Sequence, residues 1–286
     1  MIESKNINNC SVRQTIHIRI SPSLGWHSLN LKEIWDYREL LGMLAWRDAT
    51  VRYKQSVVGI GWAVLQPIMT MIIFTVIFGK FAKLPSDGVP YPIFTYCALL
   101  PWNYFARSLG DSSDSLVGSS HLITKVYFPR LILPISKVFA GLIDFAIAFV
   151  ILLAMMILYG ISPTKGLLLL PIFILMAMIT ALGVGIWLTA LNVMYRDVKF
   201  VVPFLIQFWM YASPVAYSTS LVPEQWQWLY SLNPMVGVIV GFRWALLGKA
   251  APDIFVLLVP VIVTILILIS GLYFFKRMEK MFADII

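Results

Sequence analysis

Long apolar runs separated by short polar ones dominate this chain. From about residue 56 to 79 there is no Asp, Glu, Lys or Arg. A helix crossing a bilayer needs roughly 20 mostly apolar residues, so this run predicts a span. Comparable runs follow at about 89–110, 131–160, 166–193, 198–217 and 253–275. The second is interrupted by Pro101, the third carries Lys137 and Asp144, and the fourth has no charge. Between the fifth and sixth lies a segment, 218–247, rich in Trp and Gly and broken at Asn233–Pro234. It predicts one or two short re-entrant or interfacial helices rather than a span. The pattern as a whole predicts an all-α integral membrane protein with six transmembrane helices.

The stretch before the first span has a different period. Ile34, Tyr37, Leu41 and Leu44 recur at helical spacing, with Lys32, Asp36, Glu39 and Arg47 on the other side. Asn30 followed by Glu33 resembles a capping box. These features predict an amphipathic interfacial helix over 30–55, with Trp35 and Trp46 as anchors. Asp48 intrudes on its apolar stripe. Ahead of it, Ile16, Ile18 and Ile20 alternate with polar residues and suggest a short strand in an N-terminal segment, 1–29. The expected organisation is that segment, the interfacial helix, a transmembrane domain over 56–275 and a tail over 276–286.

Composition strengthens the membrane reading. Of 286 residues, 59% are hydrophobic and 13% charged, against about 45–50% and about 25% in soluble domains. The net charge of +8 then concerns topology before nucleic acid, for which no role is expected. With six spans, 17 of the 22 Lys and Arg fall on the face that holds both termini. The positive-inside rule makes that face cytoplasmic. Cys10 and Cys97 lie in dissimilar surroundings, so no disulfide is expected. The N-terminus lacks the apolar core of a signal peptide, so no cleavage is expected.

Candidate chemistry is sparse. His17, His27 and His121 lack metal-ligand spacing, and no Gly-x-x-x-x-Gly-Lys-[Ser/Thr] phosphate loop occurs. No catalytic residue, metal or bound cofactor is expected. Gln66 and Gln207 are uncharged polar groups at membrane depth, where each needs a partner or a wet cavity. With Trp62 and Met69 on the first span, and Phe208 and Tyr211 on the fifth, they form a candidate lining for a conduit. Lipid or helix packing is the alternative for the aromatic rings. Asp144 is either functional or a bundle-facing carboxyl paired with a neighbouring helix. Lys137 lies two turns away, too far to be that pair. Arg196 and Asp197 occupy the short link between spans four and five. They suit a solvated turn, or a staple to the interfacial helix or a partner.

Five motifs then fall in an order that resembles a known family. They are Trp46–Pro67 "WRDATVRYKQSVVGIGWAVLQP", Leu99–Phe105 "LLPWNYF", Leu122–Pro134 "LITKVYFPRLILP", Met194–Val198 "MYRDV" and the tail Phe275–Ile286. The chain resembles the membrane subunits of ABC-2 type polysaccharide exporters, which carry O-antigen, teichoic acid or capsule polymers. The resemblance implies a homodimer of six-helix permeases in the bacterial inner membrane. Two copies of a separate ABC ATPase, binding ATP and Mg, would drive export of a polyprenyl-linked polysaccharide. A smaller lipid or drug substrate is an alternative within ABC-2. An ion-driven carrier is the alternative from another class, disfavoured by the scarcity of intramembrane charge and of internal repeats.

The resemblance also suggests roles. Lys125, Tyr127, Phe128, Pro129 and Arg130, with Arg196 and Asp197, would couple to the ATPase or gate the cytoplasmic entrance. Trp35, Trp46, Arg47, Asp48 and Arg52 belong to the interfacial helix. Trp226, Trp228 and Trp244 would form a periplasmic gate, although an interfacial aromatic belt explains them too.

Overall fold

The computed structural model describes residues 31–54, 59, 61–162, 164–248, 253–279 and 281–282. The expected N-terminal strand and the Asn30 cap lie outside the described residues. Within them the secondary structure is helical. The helices are α1 (Leu31–Asp36), α2 (Arg38–Lys54), α3 (Gly61–Phe74), α4 (Tyr91–Ser113), α5 (Ser120–Ile123), α6 (Ile132–Leu158), α7 (Leu170–Met194), α8 (Val198–Tyr211), α9 (Glu224–Tyr230), α10 (Pro234–Leu247) and α11 (Ile254–Met278). A π-helical stretch, Thr75–Phe81, prolongs α3.

Among the described residues four helical stretches are long and apolar enough to cross a membrane: 61–81, 132–158, 166–194 and 254–278. The pair α9 and α10, bent by 108° at its break, makes a fifth if counted as one span. At 14 residues α8 is apolar but short. The run predicted at 89–110 became α4, which is long enough at 23 residues but more polar than those four. The reason is its position. It packs against α3, α6, α7, α8 and α10, and Thr95, Ser108, Ser112 and Ser113 are all buried. A helix enclosed by protein does not need an all-apolar surface.

Small residues let neighbours approach α4 closely. A Cβ added at Gly141 of α6 would lie 2.7 Å from Ser108 Oγ, and one at Gly185 of α7 would lie 2.6 Å from Ser112 Oγ. Close backbone approach of this kind is a common way for membrane helices to associate. Buried polar groups tie the same seam. Thr189 Oγ1 donates to the Ser112 carbonyl at 2.7 Å and Asn192 Nδ2 to that of Ser113 at 3.0 Å.

The interfacial stretch forms two helices, split at Tyr37, instead of one. Its buried or half-buried face runs through Ile34, Tyr37, Leu41 and Leu44, then on through Asp48 and Arg52. Lys32, Asp36, Glu39 and Arg47 are exposed. This face packs on α6. Helix α6 starts at Ile132, three residues past Pro129, and Pro134 sits in its first turn. A proline there removes no intrahelical hydrogen bond, so it needs no bend.

Candidate functional site

The charged residues of α2 and the bundle meet in one network. Asp144 on α6 is paired with Arg52 of α2, and with Arg107 of α4 at 2.8 Å. Arg52 also reaches Asp111 of α4 at 2.6 Å. One turn earlier on α2, Asp48 pairs with Lys137 of α6 at 2.8 Å and with Arg47 at 2.9 Å. Asp144 therefore has two cationic partners, neither of them Lys137. A buried carboxylate is tolerable only when paired. The apparent flaw in the α2 stripe at Asp48 is the point where α2 is fastened to α6.

Beside this network lies a cavity of about 320 Å³ between α3, α4 and α6. Trp62 and Gln66 line it, with Asn103, Arg107, Asp111 and Asp144. The sequence paired Trp62 and Gln66 with each other but gave no sign of Asn103 or Arg107. Met69 is exposed further along α3, and Gln207, Phe208 and Tyr211 are exposed along one face of α8. Both helices rest on α4.

The Lys125–Pro134 stretch divides into two parts. Lys125 and Tyr127 are exposed, whereas Phe128 is buried. The Pro129 carbonyl accepts from Ile132 N at 3.0 Å. Arg130 Nη1 donates to the Glu279 carbonyl at 2.6 Å, and its guanidinium lies 5.9 Å from the Phe282 ring centre. Phe282 is itself buried against Phe275. Arg130 thus anchors the end of α11. Tyr127's phenol pKa is raised, first by partial desolvation and then by the carboxylates of Glu33 and Glu279. That places it between the start of α1 and the end of α11. Arg196 and Asp197 are exposed on the α7–α8 link. Among the described residues no hydrogen bond or ion pair joins them to the Lys125–Arg130 segment.

At the opposite end Asn233 makes the corner between α9 and α10. Its Oδ1 accepts from Met235 N at 3.0 Å and Trp209 Nε1 at 2.8 Å. Its Nδ2 donates to the Ala212 carbonyl at 3.1 Å and to Ser213 Oγ at 2.9 Å. The side chain is fully used, which fixes the bend to the end of α8. Trp226 and Trp228 are exposed on α9. Trp244 is separate from them, half-buried on α10 and edge-on to Phe173 at 6.5 Å.

The arrangement is that of a helical unit with apolar helices of span length and exposed polar and aromatic side chains along α3 and α8. The profile of the ABC-2 type transporter family matches residues 39–247. The chain belongs to the ABC-2 type transporter family. This ABC-2 chain shares 29% identity over 257 residues with the O-antigen export system permease protein RfbA of Myxococcus xanthus, covering 89% of this chain and 98% of that protein. A Klebsiella pneumoniae protein of the same name is 27% identical over 87% of this chain and 95% of its own. The polysialic acid transport protein KpsM of Escherichia coli is 22% identical over 82% and 91%. As an ABC-2 membrane component, the chain places α2 to α10 inside the matched region, including the ion-pair network and the bent pair. The end of α11, where Arg130 is anchored, lies beyond it.

Proposed function

We propose that this chain is the permease subunit of an ATP-driven exporter that moves a polyprenyl-linked polysaccharide, O-antigen in the first place, across the bacterial inner membrane. The observation that carries this reading is the near end-to-end likeness to O-antigen export permeases. In this reading α4 and α8 complete six spans with α3, α6, α7 and α11, and both termini face the cytoplasm. Two copies assemble. The exposed faces of α3 and α8, with Gln66, Met69, Gln207, Phe208 and Tyr211, line the conduit between them. Such a lining suits a sliding glycan: aromatic planes meet the C–H faces of sugars, and amides exchange hydrogen bonds without the tight grip of a charge.

A separate ATPase, in two copies, binds ATP and Mg²⁺ and docks on the basic end, where Lys125 and Tyr127 protrude beside α1. Trp226 and Trp228 on the bent pair act at the far exit. The likeness to a polysialic acid transport protein favours a capsule polymer as the second reading. Deleting the gene tests the proposal. Undecaprenyl-linked glycan should accumulate inside the cell while surface polymer is lost, and a strain with normal surface polymer and no accumulation would refute it.

A further inference from the structure

The end of the molecule that carries α9 and α10 holds a second cavity, of about 400 Å³, within the size range of small-ligand sites. Its lining includes Trp244, Gln227, Tyr230, Arg243, Asp87 and Asp253. Arg243 is the unusual member. It is only 6% exposed, and its guanidinium lies 3.6 Å from the Phe94 ring centre. Two of its nitrogens donate to the carbonyls of Tyr217 and Val215 at 3.1 and 3.0 Å. Its buried Nε–H has no partner among the described residues. An unsatisfied buried donor is costly and calls for an explanation.

The other walls are fixed. Asp87 Oδ2 accepts from Ser218 Oγ at 2.7 Å, and Tyr230 Oη donates to Tyr217 Oη at 3.0 Å. Trp244 is braced by Phe173. The Gln227 side-chain amide makes no hydrogen bond among the described residues, which leaves two donors and an acceptor facing this space.

We propose that this cavity binds a single sugar unit. This rests on the polysaccharide reading and adds a discrete site to it, separate from the α3 and α8 faces. The chemistry is complementary. An indole offers a flat surface for C–H groups, the Gln227 amide donates to ring or hydroxyl oxygens, and the Asp253 carboxylate accepts from hydroxyls. A sugar held here as it leaves the conduit would hinder backward slippage of the polymer.

The test uses the full chain in nanodiscs and saturation-transfer NMR with glucose, galactose, mannose, rhamnose and N-acetylglucosamine, each alone. Transfer to the ring protons of at least one sugar is expected. Gln227→Ala removes a hydrogen-bonding side chain from a half-exposed position and should weaken that affinity about three- to tenfold. Trp244→Ala should abolish it, and Leu229→Ala, on an exposed residue of α9 outside the lining, should leave it unchanged. Because Trp244 also braces Phe173, the Gln227 variant keeps the result independent of folding. Absence of transfer for every sugar, or equal transfer in the Gln227 variant, would overturn the site. Gene deletion separates the two readings: lost surface polymer with no sugar binding rejects the site alone, and sugar binding with normal surface polymer rejects the export reading alone.

Discussion

Replacing Asp144 by Ala removes a carboxylate shared by two guanidinium groups, and its cost can be worked from the contacts. Asp144's side chain is 12% exposed, Arg52's 22% and Arg107's 37%. Removing one partner of a buried ion pair costs about 3–5 kcal/mol. Here Arg52 keeps Asp111 at 2.6 Å and Arg107 can turn to solvent, so the expected loss is about 2–4 kcal/mol. Asp111→Ala is the internal control. Asp111 is 38% exposed and among the described residues forms one ion pair, so its removal should cost about 0.5–1.5 kcal/mol. The assay is unfolding of the purified chain in detergent micelles, followed by tryptophan fluorescence. A double-mutant cycle of Arg52→Ala with Asp144→Ala should return a coupling of about 1–3 kcal/mol. Coupling within about 0.5 kcal/mol of zero, or an Asp111 variant as damaged as the Asp144 variant, would refute the view that this network fastens α2 to the bundle.

Other expectations follow from single contacts. Lys125→Ala with Tyr127→Ala alters only exposed side chains; it should lower export in whole cells while the purified complex with its ATPase still assembles and hydrolyses ATP, and unchanged export would remove this stretch from coupling. Arg130→Ala releases the Glu279 carbonyl and the Phe282 ring, so limited proteolysis should cut the C-terminal tail faster than in the parent, with the rest of the chain resistant. Gly271→Ala would put a Cβ 2.5 Å from the Gly183 carbonyl oxygen and should destabilise the α7–α11 contact by about 1–3 kcal/mol, read as a lower unfolding midpoint. Gly42→Ala on α2 meets nothing within 4 Å and should instead stabilise by about 0.5–1 kcal/mol.

How far the sequence disclosed this molecule depends on whether the deciding interaction was local. The apolar runs at 131–160, 166–193 and 253–275 became α6, α7 and α11 because span-length hydrophobicity is written in consecutive residues. The break at Asn233–Pro234 was legible for the same reason, since Pro at the first helical position and Asn as its cap are local signals. The run at 89–110 was harder to classify. Its serines and Arg107 weaken the apolar signal, and the helix that enclosing neighbours make tolerable can only be recognised in three dimensions. Lys137 and Asp144 share a helix and looked like a failed pair, while their true partners, Asp48, Arg52 and Arg107, are far away in the chain. The seat of Arg243 has no sequence signal, because neither Phe94 nor the carbonyls of Val215 and Tyr217 mark a guanidinium site in sequence.

These non-local pairs also bear on how a transport stroke could be transmitted. A helix lying on a bundle by apolar contact alone can slide, because dispersion is non-directional. Ion pairs with two fixed partners resist sliding. On α2, Asp48 and Arg52 are four residues apart and so share a face, and they engage Lys137 and Asp144, seven residues apart on α6. Arg52 adds α4 through Asp111. Force applied to α2 from the basic end therefore reaches α6 and α4 together, and these two helices form the wall of the cavity that holds Trp62 and Gln66. Arg130 does the same for α11 through the Glu279 carbonyl. Tyr127 lies near Glu33 of α1 and Glu279 past α11, so a partner docking there, as proposed above, would meet the ends of α1 and α11 together.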